Sequence, residues 1–466
     1  MRSFPDHLSI VDEYGTMTYS ELFEQVEELK TEFEEIGIQQ GIGVGLISSD
    51  NRYFIICLYA IIASGGVAMP ISAKQKPYEI ALAVKEGQLH YLVGDDSDLV
   101  ALGSNSIVKI RSATTLYLSK TLLSEDEKIA GFITNPAFIR FTSGTTGKAK
   151  GVIMSHNTVL ERVNAANESL KITHEDNIIW VLPMAYHFVV SIVLYLKNGA
   201  TIIVNNDFMA EEMIASIRKY SATFFYGSPM HISLLATNKN NVKLPTLRAV
   251  ISTTTGVSSS VCIDFYNKYK IPVRQAFGII EVGLPIIHSD DAFNNPEAVG
   301  FVLPAYRVAI LDENFNPLEN NEPGLLGVSG PGIFDGYLSP PTKREKVLKK
   351  GWFITGDIAV MNDSGLITIK GREKNVINVN GNKVFPNDVE EVINNFEGVV
   401  KSKVYGTKHL LLGEVVSVDI EIAKKMNKEE LISFCRKSLS SFKLPQIINF
   451  VDKIKMTDSG KIKRNA

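Results

Sequence analysis

The sequence predicts an α/β protein in two parts. A large N-terminal domain has mostly parallel α/β layers plus a β-rich subdomain, and a small α+β domain ends the chain. Three observations predict it. Short apolar runs alternate with amphipathic helical stretches up to residue 251. From about residue 299 the apolar runs shorten, and Gly, Pro and Asn turns separate them. After residue 371 the character changes again, and the charged run Gly371-Arg372-Glu373-Lys374 marks a boundary between 1–371 and 372–466. A chain of 466 residues has room for such units and for a sizeable core.

Leu22, Val26, Leu29, Phe33 and Ile36 fall on one helical face, with Ser20 as the expected cap and Gly37 as the stop. Residues 44–47 read as a buried strand, and 52–64 as a second helix stopped by Gly65-Gly66. A strand at 67–69, a helix at 78–86 and a strand at 91–93 complete a βαβαβ rhythm. That rhythm favours a parallel sheet with helices on both faces. A polar stretch at 95–130 interrupts it. Strands follow at 138–141 and 151–154, then a helix at 155–170 with Val159, Val163, Ala166 and Leu170 on one face. Residues 178–182, 200–204, 222–226 and 247–251 read as further buried strands. In the C-terminal unit Pro386 opens a helix carrying Val389, Val392, Ile393 and Phe396. Strands near 399–405 and 414–421, a helix near 428–438 and a strand near 449–454 complete it.

Lys and Arg number 48 against 51 Asp and Glu, a formal net charge of −3. This excludes the generally basic surface of a non-specific nucleic-acid binder and leaves room for a local anion pocket. The cysteines Cys57, Cys262 and Cys435 are far apart, neither a disulfide framework nor a zinc spacing. The first residues lack a signal-peptide apolar run, and no apolar stretch approaches the ~20 residues of a membrane span. The expectation is a soluble cytoplasmic protein with no nucleic-acid partner and no membrane span.

The segment Thr142-Ser143-Gly144-Thr145-Thr146-Gly147-Lys148-Ala149-Lys150-Gly151 is the most informative. Small residues allow close backbone approach. Main-chain N–H groups, hydroxyls and two lysines together suit phosphate oxygens. It is not a Walker loop, because Gly144 is too close to Gly147-Lys148 and Ala149 stands where Ser or Thr is required. Gly41-Ile-Gly-Val-Gly45 fails the dinucleotide fingerprint, since Leu46 replaces its third glycine and the glycines precede a strand; it reads as a turn.

The 142–151 loop resembles the phosphate-loop signature of the adenylate-forming superfamily: AMP-binding acyl-CoA synthetases, adenylation domains and luciferases. Four more segments match in order: Phe277-Gly278-Ile279-Ile280-Glu281, Gly351-Trp-Phe-Ile-Thr-Gly-Asp357, Gly371-Arg372-Glu-Lys374 through Gly381, and Ser459-Gly-Lys461. The resemblance covers nearly the whole chain. It implies ATP-dependent activation of a carboxylic acid to acyl-AMP with release of pyrophosphate. Transfer to a thiol follows, either coenzyme A or the phosphopantetheine of a separate acyl carrier protein. Such a site must hold two anions together and spread the charge growing between them.

By the same resemblance, Thr142, Ser143, Gly144, Thr145, Thr146, Gly147, Lys148 and Lys150 cradle the departing phosphates. Glu281 holds Mg²⁺. Asp357 and Arg372 bind the ribose. Thr253 and Thr254, in the segment 252–256, line the adenine, with Phe277 and Gly278 beside the nucleotide. Lys461 bridges the acid carboxylate and the α-phosphate as a compact point charge. Lys374 is the hinge of a mobile C-terminal lid, and Gly381 lies beside the pantetheine channel.

Leu182-Pro-Met-Ala-Tyr186-His187-Phe188 resembles the acid-pocket segment. Residues 181–199 contain no acidic residue, so the ammonium of an α-amino acid would be buried unpaired. Tyr186, His187, Gly227, Ile279 and Leu284 instead suggest a mainly apolar pocket for an aliphatic or aryl acid. The family's usual Thr before the glutamate is Ile280 here, and Lys455 stands where a proline is common. The competing reading is a catalytically weak nucleotide-binding homologue of the same fold.

Overall fold

The computed structural model describes all residues except 1–2, 96–98, 101–106, 114, 124–127, 130, 143–149, 241, 290, 410–412, 425, 457–461 and 464–466. Two nine-stranded sheets dominate it. In the first, Val273–Ile279, Ala249–Ser252, Phe224–Gly227, Asn177–Trp180, Thr201–Val204 and Leu8–Asp12 run parallel side by side. In the second, Pro136–Thr142, Val67–Ile71, Gly43–Ile47 and Tyr91–Gly94 form the parallel centre. Antiparallel strands close both edges of each sheet.

The apolar runs of the parallel strands follow from burial on two faces. Ile178, Phe224 and Ile251 point into the largest core, which they share with Val44, Ala68, Phe138 and Val152 of the second sheet. Their neighbours Ile179, Phe225 and Val250 point the other way, under the helices Ala210–Lys219, Pro229–Thr237 and Ser259–Tyr269. The strands Arg307–Leu311, Gly324–Ser329, Phe353–Met361 and Ile367–Arg372 form an antiparallel sheet, the β-rich subdomain expected from 299 onward. The C-terminal strands build a five-stranded sheet with its own core, including Val389, Val404, Val418 and Leu431.

Several expectations are corrected. The first helix, Tyr19–Ile36, is capped by Thr18 rather than Ser20. Thr18 has Glu21 three positions ahead, which completes a reciprocal capping box; Ser20 has Phe23 there. Among its described residues the polar stretch 95–130 contains two strands, Ile107–Lys109 at the sheet edge and Tyr117–Lys120 next to it. Edge strands are covered less completely and so tolerate polar residues, which hides their pattern. Gly43 and Gly45 lie within a buried strand, not a turn. The helix opened by Pro386 ends at Asn394, so Phe396 packs on the core from beyond it. Among the described residues no helix is long and apolar enough to cross a membrane.

Candidate active site

The parallel strands of the first sheet end together. Gly227 pairs with Ser252, and Ser252 with Gln275. Val273–Ile279 then runs on past them through Phe277, Gly278 and Ile279. Crevices beyond the carboxyl ends of parallel strands are where such sheets bind ligands. Thr253 is fixed there by its N–H bond to the Gly227 carbonyl at 3.0 Å. Thr254 adopts φ +78°, a left-handed conformation that a β-branched residue adopts only under strain. Among the described residues, the buried hydroxyl oxygens of Ser252 and Thr254 have no hydrogen-bond partner. Strain and unsatisfied hydroxyls at one strand end are the marks of a site shaped for a polar ligand.

Glu281 occupies the turn after this strand, before the antiparallel strand Gly283–Ile287. Its carboxylate accepts the Tyr337 hydroxyl at 3.3 Å, and its carbonyl accepts the Phe334 N–H at 2.7 Å. Burial pushes its carboxyl up, opposed by its own N–H, the Tyr337 hydroxyl and the guanidiniums of Arg162 and Arg372. Lys150 opens the strand Lys150–Ser155, opposite Thr142, and places Nζ 4.8 Å from the centroid of the same Tyr337 ring. Tyr337 thus joins the end of the phosphate-loop motif to Glu281.

Asp357 and Arg372 lie opposite each other on adjacent antiparallel strands. Arg372 Nε stands 2.9 Å from Asp357 Oδ1, and the guanidinium also donates to the Thr355 carbonyl at 2.9 Å. Asp357 is buried and Arg372 half-buried.

Tyr186 and His187 end the short turn Met184–His187, which passes into a π-helical turn, Phe188–Ile192. Such turns recur at functional sites because they redirect side chains. The His187 ring meets Trp180 and Tyr226 edge-on, at 6.3 and 6.4 Å. Arg140 donates to the Tyr186 carbonyl and lies 5.1 Å from the centroid of its ring. Asp50 reaches this segment from another element, but its Oδ1 accepts the Met184 N–H at 2.7 Å. Gly227 and Leu284 are buried, and Ile279 is half-buried. Among the described residues, the buried nitrogens Arg140 Nε and Trp180 Nε1 have no hydrogen-bond partner, so this region is more polar than the motif suggests.

Lys374 is exposed in the one-turn 3₁₀ helix Glu373–Asn375. Gly381 follows Asn380 at the tip of a two-residue hairpin, with φ +49° at Asn380 and +85° at Gly381. These are the angles of a type I′ turn, which accounts for an Asn-Gly pair on backbone grounds alone. Ser143, Gly144, Thr145, Thr146, Gly147, Lys148 and Lys461 lie outside the described residues.

A family model for AMP-binding enzymes matches residues 1–338, and the model for the C-terminal domain of these enzymes matches 388–461. The chain belongs to the AMP-binding enzyme family. It is 26% identical to a long-chain-fatty-acid–CoA ligase of Yersinia pestis over 99% of this chain and 91% of that one. It is also 26% identical to a 2-succinylbenzoate–CoA ligase of Listeria monocytogenes over 100% and 97%. Its fold superposes on ATP-bound MatB from Rhodopseudomonas palustris with a TM-score of 0.87, at 22% identity, over 99% and 95% of the two chains. The family, the two-part α/β fold and the acid–thiol ligase class expected from the motifs agree with these matches.

The motifs quoted from the sequence do not include Tyr337, Arg140 or Arg162. One signal was present for Arg140: a lone charge in the otherwise apolar strand Pro136–Thr142, just ahead of the loop.

Among the described residues no group of three or more His, Cys, Asp or Glu could hold a metal. A lone carboxylate at Glu281 fits Mg²⁺, which takes one or two carboxylates and completes its shell with water and substrate phosphates.

Proposed function

We propose that this AMP-binding enzyme converts a neutral-tailed aliphatic or aryl carboxylic acid to its acyl-adenylate, then to a thioester. The acceptor is coenzyme A or a carrier-protein phosphopantetheine. The observation that carries the reading is the contact chain Lys150–Tyr337–Glu281, which brings the phosphate-loop motif and the metal-type carboxylate into one place. In this reading Thr142, Lys150 and the loop between them hold the β- and γ-phosphates. Glu281 holds the Mg²⁺, which when bound offsets the negative charge of the triphosphate. Asp357 accepts hydrogen bonds from the ribose hydroxyls, and Arg372 steadies both. Thr253 and Thr254 line the adenine, with Phe277 and Gly278 beside it. One carboxylate oxygen of the acid attacks the α-phosphorus, and the bond to the bridging oxygen breaks as pyrophosphate leaves. Lys461 bridges the two anions during that step.

Residues 1–371 bind the substrates, and 372–466 form the lid, hinged at Lys374, with Gly381 on its thiol-facing turn. Tyr186, His187, Gly227, Ile279 and Leu284 line the acid pocket. No carboxylate within 181–199 meets an ammonium group. Pyrophosphate release measured over a panel of acids tests the reading. Fatty or aryl acids are expected to support it better than any α-amino acid. A clear preference for an amino acid overturns the substrate class, and no acid-dependent release overturns the enzyme reading.

Two further outcomes are expected. Asp357→Asn removes a buried charged acceptor, so KM for ATP should rise about tenfold or more while KM for the acid stays unchanged. Steady-state kinetics with each substrate varied checks it, and an equal rise in both constants counts against a ribose role. Thr254→Gly relieves a left-handed threonine and should stabilise the fold by about 1 kcal/mol in urea denaturation. The same change removes a hydroxyl from the adenine side and should raise KM for ATP.

A further inference from the structure

We propose that Arg162 and Glu161 form a clamp that positions Glu281 for its cation, with Arg162 the principal positioning residue. Arg162 lies in the helix His156–Leu170 and is completely buried. Among the described residues its partners are main-chain carbonyls. Nε and Nη2 donate to Gly332 at 3.0 and 2.6 Å, Nη1 to Ile280 at 2.8 Å and Nη2 to Glu281 at 3.4 Å. A guanidinium carries a rigid fork of five donors, so it can hold two chain segments in fixed relation as a lysine cannot. Burying a cation is costly unless its donors are met, and here the carbonyls of both segments converge on it.

The second segment is held from both sides. The carboxylate of Glu161, next in the same helix, accepts the Gly332 N–H at 3.0 Å while Arg162 takes the Gly332 carbonyl. Gly332 has φ +65°, and a Cβ there would stand 2.6 Å from Arg162 Cβ. The segment is therefore pressed onto the helix at a point where only glycine fits. Further along the same segment, the Phe334 N–H grips the Glu281 carbonyl and the Tyr337 hydroxyl grips its carboxylate. Helix, segment and turn form a closed ring of contacts around Glu281. The hydrogen bonds of the ring converge on Glu281 and its neighbour Ile280, so its loss should weaken the cation more than the acid.

The inference rests on the metal role of Glu281 proposed above. The test titrates Mn²⁺ into the full-length protein with α,β-methylene-ATP, followed by electron paramagnetic resonance. It is paired with the Mg²⁺ concentration giving half-maximal pyrophosphate release. Arg162→Met should weaken Mn²⁺ binding about tenfold or more, the scale on which the supports of metal ligands act. It should raise the Mg²⁺ requirement likewise and change KM for the acid less. Arg162→Lys should recover part of the loss. Glu161 is exposed, so Glu161→Ala should fold even if Arg162→Met does not, and should show a smaller loss in the same direction. Folded Arg162→Met and Glu161→Ala proteins that bind Mn²⁺ like the parent overturn the clamp; if only Glu161→Ala folds, its result decides. Glu281→Gln run alongside separates the two readings. If it too leaves Mn²⁺ binding intact, the metal role itself fails; if it alone abolishes binding, only the clamp fails.

Discussion

Glu281→Gln is expected to lower acid-dependent pyrophosphate release about a hundredfold or more, the scale of losing one strong transition-state contact. The substitution keeps the shape of the side chain and an oxygen that can accept the Tyr337 hydroxyl. The carbonyl at 281 still accepts the Phe334 N–H, so the turn should stay in place. What disappears is the negative charge. Burial already disfavours that charge, as the raised carboxyl shows. Removing it should leave the fold as stable as before, or more so. Loss of turnover with an unchanged or higher Tm is the signature of a group kept for chemistry at a cost to stability. Calorimetry and a coupled pyrophosphate assay on the same preparation read both. Unchanged release would remove the metal role, and lost release with a lower Tm would point to a structural one. Ile280→Thr, beside it, restores the usual family hydroxyl and tests whether Ile280 limits the rate.

The motifs made Glu281 and Asp357 legible because each sits in a short run of unusual residues. What surrounds them was not legible, because it comes from segments with no run of their own. Tyr337 reaches Glu281 only because the two-residue strand Gly336–Tyr337 pairs with Lys150–Ser155. No spacing within the sequence encodes that pairing. Arg162 is harder still. In a helix whose neighbour Glu161 is exposed, an arginine reads as solvent-facing, and its burial depends on two distant loops converging on it. The parallel strands were legible because two-sided burial writes a continuous apolar run. The edge strand Ile107–Lys109 was not, because an edge is only partly covered. Asn380-Gly381 is the reverse case: the motif assigns Gly381 to a channel, while the hairpin by itself demands those two residues. A bulky residue at 381 would strain the turn, so it cannot cleanly test the thiol step.

The thiol step is better separated from the adenylation step through Lys461. Lys461→Ala should lower acyl-AMP formation by about a hundredfold or more, because two anions then meet without their bridging cation. Thioester formation from supplied acyl-AMP should persist, because the α-phosphorus has already been attacked and no second anion needs to be drawn in. The substitution should spare the fold. Met456 and Ile462, on either side, are joined by a β-bridge, and the Lys463 N–H donates to the Lys455 carbonyl at 2.9 Å. Neither contact uses the 461 side chain. Pyrophosphate exchange follows the first half-reaction, and thioester yield from synthetic acyl-AMP follows the second. If both halves fall equally in a well-folded variant, Lys461 is not confined to the first, and the lid does not divide its work between two steps. If neither falls, the acid and the α-phosphate are bridged by another cation. Arg140, whose buried Nε beside Tyr186 has no hydrogen-bond partner among the described residues, is then the residue to replace next.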